Sequence, residues 1–316
     1  MNEPYYDLAF AFPGQGSQSV GMLTELADTF PIVKETFAEA SDALDYDLWN
    51  LVNQGPEAQL NQTEYTQPAL LAAGVACFRI WQQQSSIRPG WLIGHSLGEY
   101  SALVCAKALD FSDAIKLVAE RGRLMQQAVP QGVGAMAAIL GLDDPVVVEL
   151  CKQASKDEVL TPANFNSPGQ VVIAGHKAAI ERALTLAKEH GAKRSVLLPV
   201  SVPSHCPLMQ PAAEKLADYL RDIEVNMPEI AIIHNADVGN HSAPEVIRHI
   251  LTCQLHQPVR WTESIKFLTE QGVNAFIECG PGKVLSSLNK RNAPQASHWQ
   301  INSPATLNAT LEKFNA

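Results

Sequence analysis

The sequence predicts an α/β protein with a mostly parallel sheet and a small ferredoxin-like subdomain inserted into it. Short apolar runs typical of buried strands alternate with helical segments over most of the 316 residues. Between about residues 128 and 198, the predicted elements follow the order βαββαβ, which is that of a ferredoxin-like unit. Hydrophobic residues make up 46% of the chain, which is enough to fill a sizeable core.

The elements of the larger unit lie on both sides of the insertion. A strand is predicted at 7–12, where DLAFAF runs into the turn-forming residues PGQGSQ. The other elements before the insertion are a strand at 91–93 and helices at 21–28, 31–44, 68–82 and 112–127. Those after it are strands at 231–234 and 275–279 and helices at 211–223, 244–255 and 261–271. Such alternation predicts parallel strands covered on both faces, with sites at their carboxyl ends.

The inserted unit is predicted to contain four strands and two helices. Its strands are at 135–140, 159–166, 170–174 and 193–200, and its helices at 144–154 and 177–190. We therefore expect a large subdomain of residues 1–127 and 199–316 and a small one of residues 128–198.

Composition and charge exclude several classes of function. A net charge of −10 disfavours nucleic-acid binding, and no run approaches the roughly 18 apolar residues of a membrane span. The chain has no signal-peptide pattern, so a cytoplasmic protein is expected. Its six cysteines are far apart and form no C-x-x-C pair, which argues against a zinc site or a disulfide framework. No feature demands an oligomer, and a monomer is expected.

A candidate nucleophile lies in the sequence GHSLG at 94–98. This G-x-S-x-G pattern follows the apolar run WLI and precedes a segment compatible with a helix, as in a nucleophile elbow. Gly94 and Gly98 are the small neighbours that a serine on a strained turn requires. Ser96 is predicted to present its hydroxyl to an acyl group, and His95 is interpreted as a packing or hydrogen-bonding residue.

A serine hydroxyl needs a base, and histidine is the usual one. Most of the nine histidines lie in polar loops, beside the helices of the small subdomain or in the tail. His205 differs because it follows a predicted strand and lies between Pro203 and Pro207, which stiffen the loop. We predict that His205 is the general base. No Asp or Glu stands out as its partner, and a backbone carbonyl that accepts the Nδ1 proton is an alternative.

Arg121 is predicted to lie on the apolar face of its helix, whereas the other charged residues of 112–127 gather on the opposite side. A buried arginine must be paired, because an unpaired buried charge is costly. Its partner is either a core carboxylate or the carboxylate of a substrate, which arginine binds with two parallel hydrogen bonds.

Two glycine-rich turns follow predicted strands. Gly14-Gln15-Gly16 lacks the third glycine of a dinucleotide fingerprint, so we interpret it as a site of close backbone approach to a ligand. The N–H groups of Gln15 and Leu97 would then form an oxyanion hole. Gly280-Pro281-Gly282 is interpreted as a tight turn into a helix. Cys206 is the one cysteine beside a candidate catalytic residue.

Seven motifs spread along nearly the whole chain carry a resemblance to a known family. They are FPGQGSQ at 12–18, GHSLGEYSA at 94–102, AERGRLMQ at 119–126, PANFNSPGQVVIAG at 162–175, PVSVPSHCPLM at 199–209, QLHQPVRW at 254–261 and ECGPGKVL at 278–285. With these motifs in this order, the chain resembles the malonyl-CoA:acyl-carrier-protein transacylases of bacterial fatty-acid synthesis, relatives of the acyltransferase domains of polyketide synthases.

The resemblance implies an α/β-hydrolase-like core with an inserted ferredoxin-like subdomain and an active site between the two. It implies that Ser96 becomes malonylated, that His205 is its base and that the main-chain carbonyl of Gln254 orients His205. Arg121 matches the arginine that holds the malonyl carboxylate.

The remaining implied site residues surround the serine. Gln15 and Leu97 match the oxyanion-hole donors, and His95 matches the histidine usual in malonyl-selective members. The implied reaction transfers malonyl from malonyl-CoA to the phosphopantetheine thiol of acyl carrier protein and needs no metal or other cofactor. An acidic carrier could dock on the basic residues Lys283, Lys290 and Arg291, and a solvated charged surface is the alternative interpretation of these residues.

Two alternatives remain at this stage. A serine thioesterase or hydrolase would use the same elbow, although Arg121 has no use for a neutral acyl chain. A catalytically silent subunit that binds the carrier would have no need of Ser96, His205 and Arg121 together.

Overall fold

The structure is a computed structural model that describes residues 5–200 and 202–315. The strands of this part are β1 (Tyr5–Phe12), β2 (Pro89–Gly94), β3 (Gly134–Leu140), β4 (Leu160–Ser167), β5 (Gln170–His176), β6 (Arg194–Leu197), β7 (Ala231–Ile233), β8 (Ala275–Cys279) and β9 (Ser297–Ile301). Residues 1–4 and 316 of the predicted large subdomain, and Ser201, lie outside the described residues.

Fourteen α-helices are found in the described residues. They are α1 (Thr24–Thr29), α2 (Ile32–Leu44), α3 (Leu48–Gln54), α4 (Glu57–Leu60), α5 (Thr63–Gln84), α6 (Gly98–Cys105), α7 (Phe111–Ala128), α8 (Asp144–Ser155), α9 (Lys177–Glu189), α10 (Gln210–Asp222), α11 (Pro244–Gln254), α12 (Trp261–Glu270), α13 (Val284–Asn292) and α14 (Pro304–Phe314). A short 3₁₀ turn at Pro207–Met209 precedes α10.

The larger sheet is parallel, with the strand order β7-β2-β1-β8-β9. Its central strand, β1, alternates large and small residues. Phe10 lies in the core formed with α5, where its ring meets those of Phe78 and Trp81 edge-on. Ala9 belongs to the core on the opposite face, which contains Trp261 of α12. Helices therefore cover both faces, and the predicted α/β-hydrolase-like core is confirmed.

The smaller sheet is antiparallel, with the order β4-β5-β3-β6. Helices α8 and α9 pack on one face, where they form a separate hydrophobic core. The other face contributes Met136 and Val172 to a cluster with Cys206 of the larger unit. This is the ferredoxin-like arrangement that the sequence predicts. Strand β6 ends at Leu197, before the predicted limit of 200, because Pro199 has no N–H for the ladder.

Several elements were not predicted from the sequence. Helices α3 and α4 are short, and β9 is an edge strand of half-buried residues with little apolar alternation. The tail that carries His298 is therefore part of the parallel sheet, and α14 follows it behind the capping box of Ser303 and Thr306. Among the helices of the described residues, none combines the length and the hydrophobicity that a membrane span requires.

Helices α5 and α7 lie close together because α7 has a glycine at their contact. A Cβ on Gly122 would lie 2.7 Å from the Cα atom of Glu64 and 2.7 Å from the carbonyl oxygen of Thr63. This approach brings Arg121 of α7 within hydrogen-bond distance of Gln67 of α5. The packing of two helices thus positions a buried cation.

Replacing this glycine should destabilise the protein. Gly122→Ala would overpack the contact between α7 and α5, and we expect the free energy of unfolding to fall by about 1–3 kcal/mol in urea denaturation. Gln127→Ala, on the exposed side of the same helix, is the matched control and should change it by less than about 0.5 kcal/mol. Equal effects of the two variants would contradict the close contact.

Candidate active site

Ser96 lies on a strained turn between β2 and α6. Its φ is 51°, in the left-handed region that non-glycine residues rarely adopt. A Cβ on Gly94 would overlap the backbone of Gly98, and a Cβ on Gly98 would overlap the carbonyl oxygen of Phe12. The two glycines are therefore sterically required, and the turn has the geometry of a nucleophile elbow.

The side chain of Asn235, just after β7, holds this turn in place. Its Oδ1 accepts a hydrogen bond from the Ser96 N–H at 2.7 Å, and its Nδ2 donates to the Gly94 carbonyl at 2.7 Å. Asn235 is fully buried. A side chain from one strand end thus fixes the conformation of the serine at the next.

His205 lies directly against the serine. Its Nε2 is 2.8 Å from Ser96 Oγ, and its Nδ1 is 2.7 Å from the main-chain oxygen of Gln254. A carbonyl can only accept, so Nδ1 carries the proton and Nε2 is left to accept one from the serine. The His205 N–H also donates to the Leu255 carbonyl at 3.0 Å, which ties the loop between the two prolines to the end of α11.

The imidazole of His205 is held in its neutral form. Burial and, to a smaller extent, the positive charge of Arg121 together lower its pKa from the ordinary 6.5 to about 3. The hydrogen bond to the Gln254 carbonyl acts against this shift but does not offset it. A neutral imidazole can take the serine proton, so the pair is chemically competent as nucleophile and base.

Arg121 is buried, with 1% of its surface exposed, and faces the same serine. Its Nη1 donates to Gln67 Oε1 at 2.7 Å, its Nη2 donates to Gln254 Oε1 at 3.0 Å, and Nη2 lies 3.4 Å from Ser96 Oγ. The ring of Tyr100 lies 5.3 Å from the guanidinium carbon. Within the described residues, no carboxylate forms an ion pair with Arg121. Of the two partners expected from the sequence, a core carboxylate and a substrate carboxylate, the first is therefore not present among these residues.

Ser96, His205 and Arg121 line a cavity of about 210 Å³ between the two sheets. The larger unit also contributes Gln15, Gln67 and Leu97 to its lining. The small sheet and the chain leaving it contribute Met136, Asn164, Asn166, Val172, Leu198 and Val200. His95 faces the cavity, and its Nε2 is 2.8 Å from Asn166 Oδ1 of β4. That contact links the elbow to the small sheet, so the predicted hydrogen-bonding role of His95 has a specific partner.

Other residues singled out from the sequence lie away from the reacting atoms. Cys206 is fully buried, burial raises its pKa to about 12, and its Sγ contacts the Pro203 carbonyl, so it is a packing residue. Lys283 and Lys290 are exposed on or beside α13, and Arg291 donates to Gln170 of the small sheet. The residues 280–282 form the expected tight turn, with positive φ at both glycines.

Comparisons with known proteins agree with this geometry. The family described as acyl transferase domain matches residues 9–307. The malonyl CoA-acyl carrier protein transacylase of Haemophilus influenzae is 57% identical over 305 residues, covering 96% of this chain and 98% of the relative. A crystal structure of an acyl carrier protein S-malonyltransferase from Vibrio cholerae is 56% identical, covers 96% of this chain and 99% of its own, and superposes with a TM-score of 0.94.

The chain belongs to the malonyl-CoA:acyl-carrier-protein transacylase family. A further solved relative is a malonyl-transacylase in complex with a type II PKS acyl-carrier protein. It is 55% identical, with a TM-score of 0.96 over 97% of this chain and 99% of that one.

Sequence reasoning missed three buried polar residues in this family member, Glu99, His234 and Asn235, and the central one is the carboxylate of Glu99. It is fully buried behind the elbow and accepts from His234 Nδ1 at 2.7 Å, from the Asn235 N–H at 3.0 Å and from Gln254 Nε2 at 2.8 Å. A charged residue inside the otherwise apolar α6 was the available signal, of the same kind that identified Arg121. Asn235 and His234 follow β7, so the rule that sites gather at strand carboxyl ends would have found them.

The low pKa of His205 predicts how the reactivity of Ser96 depends on pH. A base with an ordinary pKa near 6.5 would lose about 30-fold in its neutral fraction between pH 8 and pH 5. Because the pKa of His205 is lowered to about 3, we expect labelling of Ser96 by phenylmethylsulfonyl fluoride to change less than about threefold over that range.

The same shift has a consequence for stability. Below pH 6.5 the unfolded chain binds a proton at His205 that the native state does not. The contribution of this group to the free energy of unfolding therefore falls as the pH decreases from 6.5 towards 3.

Ser96→Ala is the control for the labelling of Ser96 by phenylmethylsulfonyl fluoride, and this variant should not react. A fall of tenfold or more in the labelling rate by pH 5 would contradict a neutral, buried base.

Proposed function

We propose that this chain transfers the malonyl group from malonyl-CoA to the phosphopantetheine thiol of acyl carrier protein, through a malonyl ester on Ser96. One observation carries the proposal. A buried guanidinium without a carboxylate partner among the described residues lies 3.4 Å from the nucleophilic oxygen. An acyl group attached to Ser96 that carries a free carboxylate at its far end supplies that partner. The names of the relatives support the same reaction.

In the first half-reaction, Ser96 Oγ attacks the thioester carbonyl of malonyl-CoA while His205 Nε2 accepts its proton. Gln15 and Leu97 line the cavity, and their N–H groups would stabilise the oxyanion of the tetrahedral intermediate. The carbon–sulfur bond then breaks, and Nε2 returns the proton to the sulfur, so that CoA leaves as a thiol. The Gln254 carbonyl keeps the Nδ1 proton in place throughout.

In the second half-reaction, the carrier thiol enters the same cavity and gives its proton to His205. Its sulfur attacks the malonyl ester, the bond to Ser96 Oγ breaks, and the serine recovers its proton from Nε2. The two half-reactions share one site and one intermediate, which makes the mechanism ping-pong.

We further propose that residues 128–198 form the small subdomain and that the chain acts as a monomer. The four strands of the antiparallel sheet and its separate core fall within that interval, and the site residues come from a single chain. We place the reaction in the cytoplasm, where the six unpaired cysteines would stay reduced.

Intact-mass spectrometry tests the intermediate. After incubation with malonyl-CoA alone, the protein should gain the mass of one malonyl group, and addition of holo acyl carrier protein should move that group to the carrier. Ser96→Ala should gain nothing. Free malonate released faster than the carrier is loaded would indicate a hydrolase instead, and full transfer by Ser96→Ala would overturn the proposal.

Removing the buried cation should change the choice of acyl group. For Arg121→Ala, we expect the activation free energy that governs kcat/KM for acylation by malonyl-CoA to rise by about 2–5 kcal/mol, because the substrate carboxylate would be buried without its partner. Acylation by acetyl-CoA, which has no carboxylate, should fall much less, so the preference should shift towards acetyl. Arg123→Ala, an exposed arginine paired with Glu120 on the same helix, is the matched control and should leave the preference unchanged. Retention of the wild-type preference by Arg121→Ala would contradict this role.

A further inference from the structure

The polar groups of the site rest on the buried carboxylate of Glu99. This side chain has no exposed surface, and its hydrogen bonds within the described residues go to His234, Asn235 and Gln254 and not to Ser96 Oγ, His205 or Arg121. The three groups that face its oxygens are all donors, and one of them, the Asn235 N–H, cannot reverse its polarity. Glu99 therefore influences the reacting groups through the residues that it holds and through its charge.

The first of these groups is the amide of Gln254, which lies between Glu99 and Arg121. Gln254 Nε2 donates to Glu99 Oε2 at 2.8 Å, while Gln254 Oε1 accepts from Arg121 Nη2 at 3.0 Å. A carboxylate only accepts and a guanidinium only donates, so both ends require the same orientation of the amide. The result is a polarised chain from cation to carboxylate.

The same glutamine also serves the serine and the base. Its Nε2 lies 3.0 Å from the main-chain oxygen of Ser96, and its own main-chain oxygen accepts from His205 Nδ1 at 2.7 Å. Whatever fixes the side chain of Gln254 therefore limits the movement of the carbonyl that orients His205.

The second group is Asn235. Its N–H donates to Glu99 Oε2, and its side chain holds both the Ser96 N–H and the Gly94 carbonyl. One carboxylate oxygen thus accepts from the two residues that fix the nucleophile, the base and the cation.

We propose that Glu99 is a positioning residue for malonyl transfer, which sets the relative placement of Ser96, His205 and Arg121 through Gln254 and Asn235. This inference rests on the proposed function. In addition, Glu99 supplies a negative charge one amide away from Arg121, which balances the buried cation while the acyl site is empty and leaves the guanidinium face free for the substrate carboxylate.

The test compares acylation of Ser96 by malonyl-CoA and acetyl-CoA in single-turnover experiments, corrected for the folded fraction by titration of the reactive serine. Glu99→Ala should lower the malonyl rate constant at saturation about 10- to 100-fold, as expected when a charged hydrogen-bond acceptor is lost. The acetyl rate constant should fall less. Acetyl transfer needs a correctly placed Ser96 and His205, but the acetyl group has no carboxylate for Arg121 to bind. The malonyl preference, which is the ratio of the malonyl to the acetyl rate constant, should therefore decrease.

The conservative variant should recover most of the effect. In Glu99→Gln, the amide oxygen can still accept from Asn235 and Gln254 while its NH₂ group faces His234. We expect the malonyl preference to stay within about threefold of the wild type. The substitution moves the His234 proton to Nε2, which has no hydrogen-bond partner among the described residues, so thermal stability should fall.

Glu278→Ala is the matched control for burial. Glu278 is also a buried glutamate that accepts hydrogen bonds from the Leu285 N–H and from the N–H and hydroxyl of Ser286. These donors belong to the start of α13, and none of them bonds to Ser96, His205 or Arg121. Its removal should lower the melting temperature without narrowing the malonyl preference. An equal narrowing in Glu278→Ala would reduce the role of Glu99 to general structure and overturn the proposal.

Gln254→Ala provides a second test, which does not require that Glu99→Ala folds. Gln254→Ala retains the main-chain carbonyl but breaks the link between Glu99 and Arg121, and it should narrow the malonyl preference in the same way.

A wild-type preference in folded Glu99→Ala or in Gln254→Ala would overturn the inference. The proposed function is judged separately on the wild-type protein, where absence of malonyl on Ser96 would refute it.

Discussion

The arrangement of the site depends on Gln254, which makes four hydrogen bonds to four different polar groups. Its main-chain oxygen accepts from His205, its side-chain oxygen accepts from Arg121, and its side-chain nitrogen donates to Ser96 and Glu99. Because the residue is fully buried at the end of α11, none of these bonds competes with water. The nucleophile, the base and the cation are consequently held in one fixed relation.

The Gln254 carbonyl occupies the position of the acidic residue that completes a Ser-His-Asp triad, and this difference suits a substrate that carries a carboxylate. A carboxylate beside His205 Nδ1 would raise the pKa of the imidazole and add a negative charge close to the acyl site. The Gln254 carbonyl orients the ring without that charge, and the pKa of His205 stays low. The negative charge of Glu99 lies behind the elbow, where it faces donors and is separated from Arg121 by an amide. Arg121 can thus attract a substrate carboxylate in the cavity, since the carboxylate of Glu99 lies on the other side of Gln254.

The fold could be predicted from the sequence where local patterns and burial agree. The strand at the start of the chain, the two halves of the elbow and the βαββαβ order were readable because apolar runs and turn residues mark their limits. Strand β9 was not, since an edge strand with half-buried residues lacks that contrast. Among the site residues, Arg121 was identified as a cation on an apolar helix face, whereas Glu99 was overlooked although the same physical argument applied to it.

The kinds of reactive groups can be read from the amino-acid sequence, namely a serine between glycines, a histidine between prolines and an arginine on the apolar face of a helix. Those conclusions rest on local sterics and on the cost of burying a charge, which hold in any fold. Which of these groups come into contact depends on the folded chain. Ser96, His205 and Gln254 are far apart in the chain, and their contacts depend on how helices and strands pack. Hydrogen bonds between distant segments leave no local pattern, so the partners of the arginine and the serine appeared only once the chain was folded.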